Sequence, residues 1–209
     1  MARILIADDH PLLRSGLRQL LDAEPDLEFA GEAADSDQVL AQIEKDCWDI
    51  VVLDLCMPGR GGMDVLREIR KSKPHLPVLV LSMHAEEQFA VRAIKAGASG
   101  YLSKIASPAE VVSAIRKVLS GRKYVSTTLA ETLANKLEDG QRPPHELLSD
   151  REFQVMCKIA SGKTVSQIAA EIGLSVKTIS TYRSRVLEKM NMRSNAELTR
   201  YAIQQGLVD

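Results

Sequence analysis

Apolar positions along this chain follow two different rhythms, one in each half. The first half has short continuous runs: Arg3-Ile4-Leu5-Ile6-Ala7, Ile50-Val51-Val52-Leu53, Pro77-Val78-Leu79-Val80-Leu81 and Gly100-Tyr101-Leu102-Ser103. Runs this short and rich in Ile, Val and Leu read as strands covered on both faces, the pattern of a parallel sheet with helices on either side. Helical spacing separates them. Leu13, Leu17, Leu20 and Leu21 form one stripe after Pro11, and Ser107-Pro108-Ala109-Glu110 has the pattern of a capping box. That box opens a helix striped by Val111, Val112, Ile115, Val118 and Leu119, which Gly121 ends.

Beyond residue 120 every run is helical. Thr127 to Leu137 predicts a short helix through Leu129, Leu133 and Leu137, and the polar, proline-bearing stretch Glu138 to His145 reads as a linker. A second capping box, Ser149-Asp150-Arg151-Glu152, precedes Phe153, Val155, Met156, Ile159 and Ala160, with Gly162 as the stop. Thr164 then starts a helix with Gln167 three residues on, burying Ile168, Ala169 and Ile172 before Gly173. After the turn Gly173-Leu174-Ser175 a further helix runs from Val176 to about Met190, expected to face the core with Val176, Ile179, Val186 and Met190. Two short helices joined by a tight glycine-containing turn form a helix-turn-helix, whose second helix enters the DNA major groove. A last helix covers roughly Asn195 to Gln205, with Leu198, Tyr201 and Ala202.

Chemistry enters at the strand ends. The first run delivers Asp8-Asp9 and the second delivers Asp54 to the C-terminal edge of the sheet, where doubly wound α/β domains carry their sites. Three carboxylates converging there repel one another unless a hard divalent cation lies between them, so the cluster implies a Mg²⁺ site. The third and fourth runs add the hydroxyl of Ser82 and, after Ser103, the ammonium of Lys104. An acidic metal site with a hydroxyl and a compact cation suits the holding of a phosphoryl group, with Asp54 as nucleophile. Each residue alone has a plainer use: Asp9 as a helix start before His10-Pro11, Ser82 in a turn, Lys104 in solvent, Tyr101 as a half-buried strand aromatic. Their joint placement at successive strand ends favours the phosphoryl reading.

Asp8-Asp9, Asp54 followed by Met57-Pro58-Gly59, Ser82 and Lys104 resemble the receiver domain of bacterial two-component response regulators. Leu148-Ser149-Asp150-Arg151-Glu152, Ile159-Ala160-Ser161-Gly162, Gln167-Ile168-Ala169, Leu174 to Ile179, Tyr182-Arg183, Glu188-Lys189-Met190 and Glu197-Leu198 resemble the LuxR-type DNA-binding domain of NarL/FixJ-class regulators. The resemblance implies a five-stranded, flavodoxin-like parallel sheet over residues 1–120, a linker over 121–146 and a small all-α helix-turn-helix domain over 147–209. It also implies roles. Mg²⁺ is held by Asp9, Asp54 and the backbone carbonyl of Cys56, with Asp8 assisting, and Ser82, Tyr101 and Lys104 sense the phosphate. The side chains at Cys56 and His84 stand where similar receivers tune phosphate lifetime. In the second domain Ser180, Thr181 and Ser184 are positioned for base edges, and Lys177, Thr178, Tyr182, Arg183, Arg185 and Lys189 for phosphates.

Composition narrows the setting. The 209 residues are 45% hydrophobic and 26% charged, ordinary for soluble globular protein and enough for two domains. Lys and Arg against Asp and Glu number 14 and 18 over residues 1–120, 4 and 4 over 121–146, and 9 and 6 over 147–209. Only the last segment is basic, a small excess compatible with a nucleic-acid partner and weak evidence for one by itself. Cys47, Cys56 and Cys157 lack metal or disulfide spacing and read as small, reduced, mostly buried residues. With neither an 18-residue apolar run nor a signal pattern, a bacterial cytoplasmic location without membrane contact is expected.

Together these point to a non-enzymatic, phosphorylation-activated transcription regulator. Its partners would be a sensor histidine kinase, double-stranded promoter DNA, a second copy of itself and RNA polymerase. Two rivals remain at this level. A haloacid-dehalogenase-type phosphohydrolase also uses a strand-end Asp and Mg²⁺ but wants a second Asp where Cys56 stands. Alternatively the helical domain contacts protein or RNA in place of DNA.

Overall fold

Why the short runs become strands is visible in their burial: in β1 (Ala2–Ala7) and β3 (Ile50–Leu53), Ile4, Leu5, Ile6, Ala7 and Ile50 to Leu53 are all buried, so both faces are covered. The computed structural model describes residues 1–57, 60–83, 86–126, 130 and 143–208, leaving aside the side chains of 86–88. Within the first unit, α1 (Pro11–Asp22), β2 (Leu27–Ala33), α2 (Ser36–Lys45), α3 (Gly62–Ser72), β4 (Val78–Ser82), α4 (Glu86–Lys95), β5 (Gly100–Ser103) and α5 (Pro108–Leu119) complete an alternating β/α order. The five strands pair in parallel in the order β2-β1-β3-β4-β5. The reversal beside β1 makes the ends of β1 and β3 the crevice of the sheet, and Asp8 and Asp54 directly follow those strands.

Alternation along each strand decides which side chain meets which helix. Ile4, Ile6, Ile50, Val52, Leu79, Leu81 and Leu102 form one apolar layer with Leu17 and Leu21 of α1 and Val112, Ile115 and Val118 of α5. A fully buried Leu or Ile contributes roughly 2 kcal/mol, whereas exposed ion pairs contribute about 0–1 kcal/mol each, so this layer carries the sheet. Ser107 caps α5 by accepting from the Glu110 amide at 3.3 Å, but the Glu110 carboxylate accepts from the Tyr124 hydroxyl at 3.1 Å. The expected box is therefore only half of one.

The second unit has a 3-10 turn (Pro144–Leu147), α6 (Asp150–Ala160), α7 (Val165–Ile172), α8 (Val176–Lys189) and α9 (Asn195–Gln204). Both sequence-predicted starts are full capping boxes, Ser149 with Glu152 and Thr164 with Gln167. Gly173 closes α7 in the left-handed conformation at φ 72°, which turns the chain into α8. Phe153, Met156, Ile168, Ile179, Val186, Leu198 and Ala202 fill the core.

Three expectations need correction. Val176, the first residue of α8, is 50% exposed, and only Ile179, Val186 and Met190 of its stripe are buried. Cys47 is exposed and Cys56 half-buried, leaving Cys157 alone as a core thiol. His145, read as linker, is buried, with its ring centroid 5.9 Å from those of Phe153 and Tyr201 and Nδ1 2.8 Å from the Tyr201 hydroxyl. The predicted helix from Thr127 to Leu137 lies outside the described residues apart from Ala130.

Candidate phosphoacceptor site and nucleic-acid interface

At the C-terminal edge of the sheet, Asp8 and Asp54 are buried and Asp9 is half-buried. The Lys104 ammonium, carried by the loop after β5, lies 2.6 Å from Asp8 Oδ2 and 2.8 Å from Asp54 Oδ2. Its backbone amide donates to the Ser82 carbonyl at 2.9 Å, so the ends of β4 and β5 are tied beside the acids. The Cys56 amide donates to Asp54 Oδ1 at 3.0 Å. Gly62, the first residue of α3, makes this tightness achievable: a Cβ there would stand 2.6 Å from the Asp54 carbonyl oxygen and collide with the Leu55 Cα.

Electrostatics follow from burial. Desolvation pushes the Asp54 carboxyl above its ordinary pKa, against the pull of Lys104 and the Cys56 amide. Burial acts on Lys104 in the opposite sense, but hydrogen bonds and charge from Asp54 and Asp8 prevail and hold it above its usual value. One lysine charge facing two buried carboxylates leaves negative charge uncompensated, which a divalent ion would neutralise.

Donors for such an ion are assembled. One ligand atom from each of Asp8, Asp9, His10 and Asp54 lies within 4.8 Å of the others. Asp9 Oδ1 is buried and accepts no hydrogen bond, its short contact being the ion-pair approach of His10 Nδ1 at 2.8 Å, and a carboxylate oxygen so placed is of the type a hard cation takes up. Reading the sequence for site chemistry passed over His10, whose only visible signal was an imidazole directly after two acids at a strand end. Arg14 was also missed; its Nη1 donates to the Asp8 carbonyl at 2.7 Å from α1 and fixes that strand end.

Ser82 and Tyr101 are both fully buried, at the end of β4 and within β5, and the Tyr101 amide donates to the Tyr124 carbonyl at 3.0 Å. His84 lies outside the described residues.

In the second unit, Lys177, Ser180, Thr181, Ser184, Arg185 and Glu188 are exposed along one side of α8, opposite the buried Ile179 and Val186. The Thr181 and Ser184 hydroxyls donate to backbone carbonyls one turn back, at 3.0 and 3.1 Å. Thr178 is half-buried, its hydroxyl 2.8 Å from that of the capping residue Ser175, and Tyr182 is also half-buried. Two of the cations expected to reach phosphates are engaged within the domain. Arg183 Nε donates to Asn195 Oδ1 at 2.7 Å, and Lys189 pairs at 2.7 Å with Glu152, a buried carboxylate at the N-terminus of α6. Lys177 and Arg185 are the cations on the exposed stripe itself.

Comparison with known proteins agrees across both units. The response regulator receiver domain matches residues 4–116, and the domain of bacterial regulatory proteins of the luxR family matches residues 146–202. The chain is 37% identical to the response regulator UvrY of Escherichia coli K12 over 209 residues, covering 99% of this chain and 96% of that one. It is 36% identical to the response regulator GacA of Pseudomonas aeruginosa over 211 residues, covering 100% and 99%. Among solved structures, a LuxR-family two-component response regulator from Aurantimonas superposes with TM-score 0.62 at 39% identity, over 66% of this chain and 99% of that one. RcsB from Salmonella enterica serovar Typhimurium, bound to promoter rprA in the presence of the phosphomimetic BeF3-, superposes with TM-score 0.68 at 25% identity, over 96% and 97%.

Proposed function

The chain belongs to the LuxR family of two-component response regulators, phosphorylation-activated transcription regulators that bind DNA, and we propose that within it Asp54 accepts the phosphoryl group. The single observation that carries this is the buried Asp54 carboxylate facing Lys104 at 2.8 Å beside Asp8 and Asp9. An Asp54 oxygen attacks phosphorus of a kinase phosphohistidine or a small acyl phosphate. The new P–O bond forms as the P–N or leaving P–O bond breaks, and the leaving group departs with the electron pair. Asp9, Asp54 and the Cys56 carbonyl would hold Mg²⁺, with Asp8 assisting; when bound, the ion neutralises the oxygens of the transferred group. Lys104 then exchanges a carboxylate partner for a phosphoryl oxygen. The Ser82 hydroxyl turns to a second oxygen, and Tyr101 packs into the space it leaves. Cys56 and His84 set how readily water reaches the phosphoryl group. The protein promotes its own phosphorylation and dephosphorylation and no other reaction.

The output follows by pairing. We assign residues 1–120 to the receiver and 147–209 to the DNA-binding head, with the linker that begins at 121 ending before His145, which packs on Phe153 and Tyr201 of the head. Phosphorylated receivers associate, placing two heads on neighbouring half-sites of promoter DNA, so two weak contacts act as one strong one. Ser180, Thr181 and Ser184 face base edges, while Lys177, Thr178, Tyr182 and Arg185 face phosphates. Arg183 and Lys189 contribute through donors not taken by Asn195 and Glu152. A sensor histidine kinase upstream and RNA polymerase downstream complete the partners, in the cytoplasm, and no helix among the described residues is long and apolar enough to cross a membrane. RcsB bound to DNA supports duplex DNA as the ligand of the helical half over protein or RNA. Cys56, standing where a phosphohydrolase of this chemistry carries its acid, argues against turnover of a substrate.

Acetyl phosphate tests the acceptor. Wild type should be labelled in Mg²⁺ and Asp54→Ala should not. Undiminished labelling of that variant, or labelling insensitive to EDTA, would overturn the assignment.

A further inference from the structure

The chain does not leave the first unit where α5 ends. Beyond Gly121 it returns along the open edge of β5, where Tyr124 forms a parallel bridge with Gly100. The Tyr124 amide donates to the Ser99 carbonyl at 3.0 Å, and the Tyr101 amide, turned away from β4, donates to the Tyr124 carbonyl at 3.0 Å. A Cβ on Gly100 would stand 2.9 Å from both the Cβ and the carbonyl oxygen of Tyr124, so a glycine is what lets the start of the linker lie this close to the strand. The linker thus begins as a one-residue extension of the sheet, bonded to the main chain of Tyr101.

The side chain of Tyr124 is held by a different element. Its hydroxyl donates to the Glu110 carboxylate at 3.1 Å, and the Lys117 ammonium lies 5.3 Å from its ring centroid, both from α5. The half-buried ring packs against the apolar layer that α5 shares with Leu79, Leu81 and Leu102. A residue tied by its main chain to β5 and by its side chain to α5 responds to any displacement of one against the other. Tyr101 and Leu102 point to opposite faces of β5. Packing of the Tyr101 ring toward Ser82 draws its amide from the edge, while α5 stays seated on the layer that includes Leu102. Two backbone hydrogen bonds hold the bridge, so a small displacement breaks it.

We propose that Tyr124 is a latch between the phosphorylation site and the linker: phosphorylation of Asp54 opens its bridge to β5 and frees the chain that leads to the DNA-binding head. The inference rests on the reading of Ser82 and Tyr101 as the residues that respond to the phosphoryl group. It adds where that response leaves the receiver. Coupling of this kind is reciprocal, so weakening the latch favours the phosphoryl-bound state by the same factor by which the phosphoryl group favours opening.

The test is amide hydrogen exchange on the full chain in Mg²⁺, with and without beryllofluoride as the phosphoryl mimic. The Tyr101 amide should exchange about tenfold faster or more once beryllofluoride is bound, the protection lost with one hydrogen bond, and should not respond in Asp54→Ala. Tyr124→Ala removes both contacts with α5, and Tyr124→Phe keeps the ring beside Lys117 and loses only the bond to Glu110. Both should bind beryllofluoride more tightly than wild type, by about fivefold or more for Tyr124→Ala. A side chain serving structure alone would leave that affinity unchanged or lower it. Tyr101 exchange that ignores bound beryllofluoride, or an affinity no higher than wild type in both variants, overturns the latch and leaves Asp54 in place. Beryllofluoride binding that survives in Asp54→Ala overturns the acceptor assignment, and the latch with it.

Discussion

Lys104 is surrounded by more negative charge than it can balance, and this sets the behaviour of every residue near it. With a side chain only 5% exposed, it is the sole cation within ion-pair distance of Asp54 among the described residues. Lys104→Ala should cost on the order of 3 kcal/mol in EDTA, the penalty for stranding buried charge, and Mg²⁺ should recover part of it; denaturant titration in both media checks this. The acids differ in the opposite direction. Asp9→Ala should reduce Mg²⁺ affinity more than Asp8→Ala, because Asp9 Oδ1 is the oxygen without a hydrogen bond; calorimetry giving the reverse order would reassign the inner ligand. Asp54 also sets a pH dependence. Desolvation raises its pKa in the folded state, so its contribution to stability is present below the unfolded carboxyl pKa and is lost as pH rises through the folded value. In EDTA, Asp54→Asn should be more stable than wild type at neutral pH, and the gap should close toward acid pH. Asp8, Asp54, Ser82 and Lys104 are legible from sequence because each directly follows or ends a run of buried aliphatics. His10 is not, since an imidazole before proline reads equally well as a helix start.

Elements were legible where an unbroken apolar run, a capping pattern of Ser or Thr, or a glycine stop marked them, whereas α2 and α3, with one-sided stripes through Val39 and Ile43 and through Val65, Leu66 and Ile69, carry no such mark and were not read from the sequence. The capping boxes of α6 and α7 and the glycine between α7 and α8 announce themselves in local sequence. β2 does not: only Leu27 and Ala33 of its seven residues are buried, because it pairs with β1 alone at the sheet edge. The pairing of Glu152 with Lys189 was equally hidden, being a contact between residues far apart in the chain. It joins the start of α6 to the end of α8, the helix proposed for the major groove, so its loss should act on DNA binding through position. Glu152→Ala removes half a capping box and the ion pair and should cost roughly 2 kcal/mol. Glu152→Gln keeps the box and should cost less. Thermal melts of the two variants measure the difference. On the exposed stripe of α8, Lys177→Ala or Arg185→Ala should weaken binding to all duplexes and reduce the salt slope by about one. Thr181→Ala should chiefly reduce discrimination among sites. An unchanged affinity and slope for Lys177→Ala would mark it as merely solvated.

At the scale of the molecule, two compact units, Met1–Ala134 and Asn135–Asp209, each hold their own apolar core. A fragment from Pro144 to Asp209 keeps His145 and its contact with Tyr201 and should therefore fold alone, as circular dichroism would register. Whether that fragment equals the activated chain on DNA separates two routes to activation. If phosphorylation pairs receivers, the isolated head binds more weakly than the phosphorylated chain; if it unmasks a covered head, the two bind alike. Pairing is expected, since one small head with two cations on its exposed stripe offers few phosphate contacts by itself. The most direct test is sedimentation velocity of the full chain on a target duplex, with acetyl phosphate and Mg²⁺, for wild type and Asp54→Ala. The account predicts that phosphorylation converts wild type to a dimer that binds the duplex more tightly, with Asp54→Ala unaffected. A phosphorylated wild type that stays monomeric yet binds tightly, or an Asp54→Ala chain that responds equally, would contradict it.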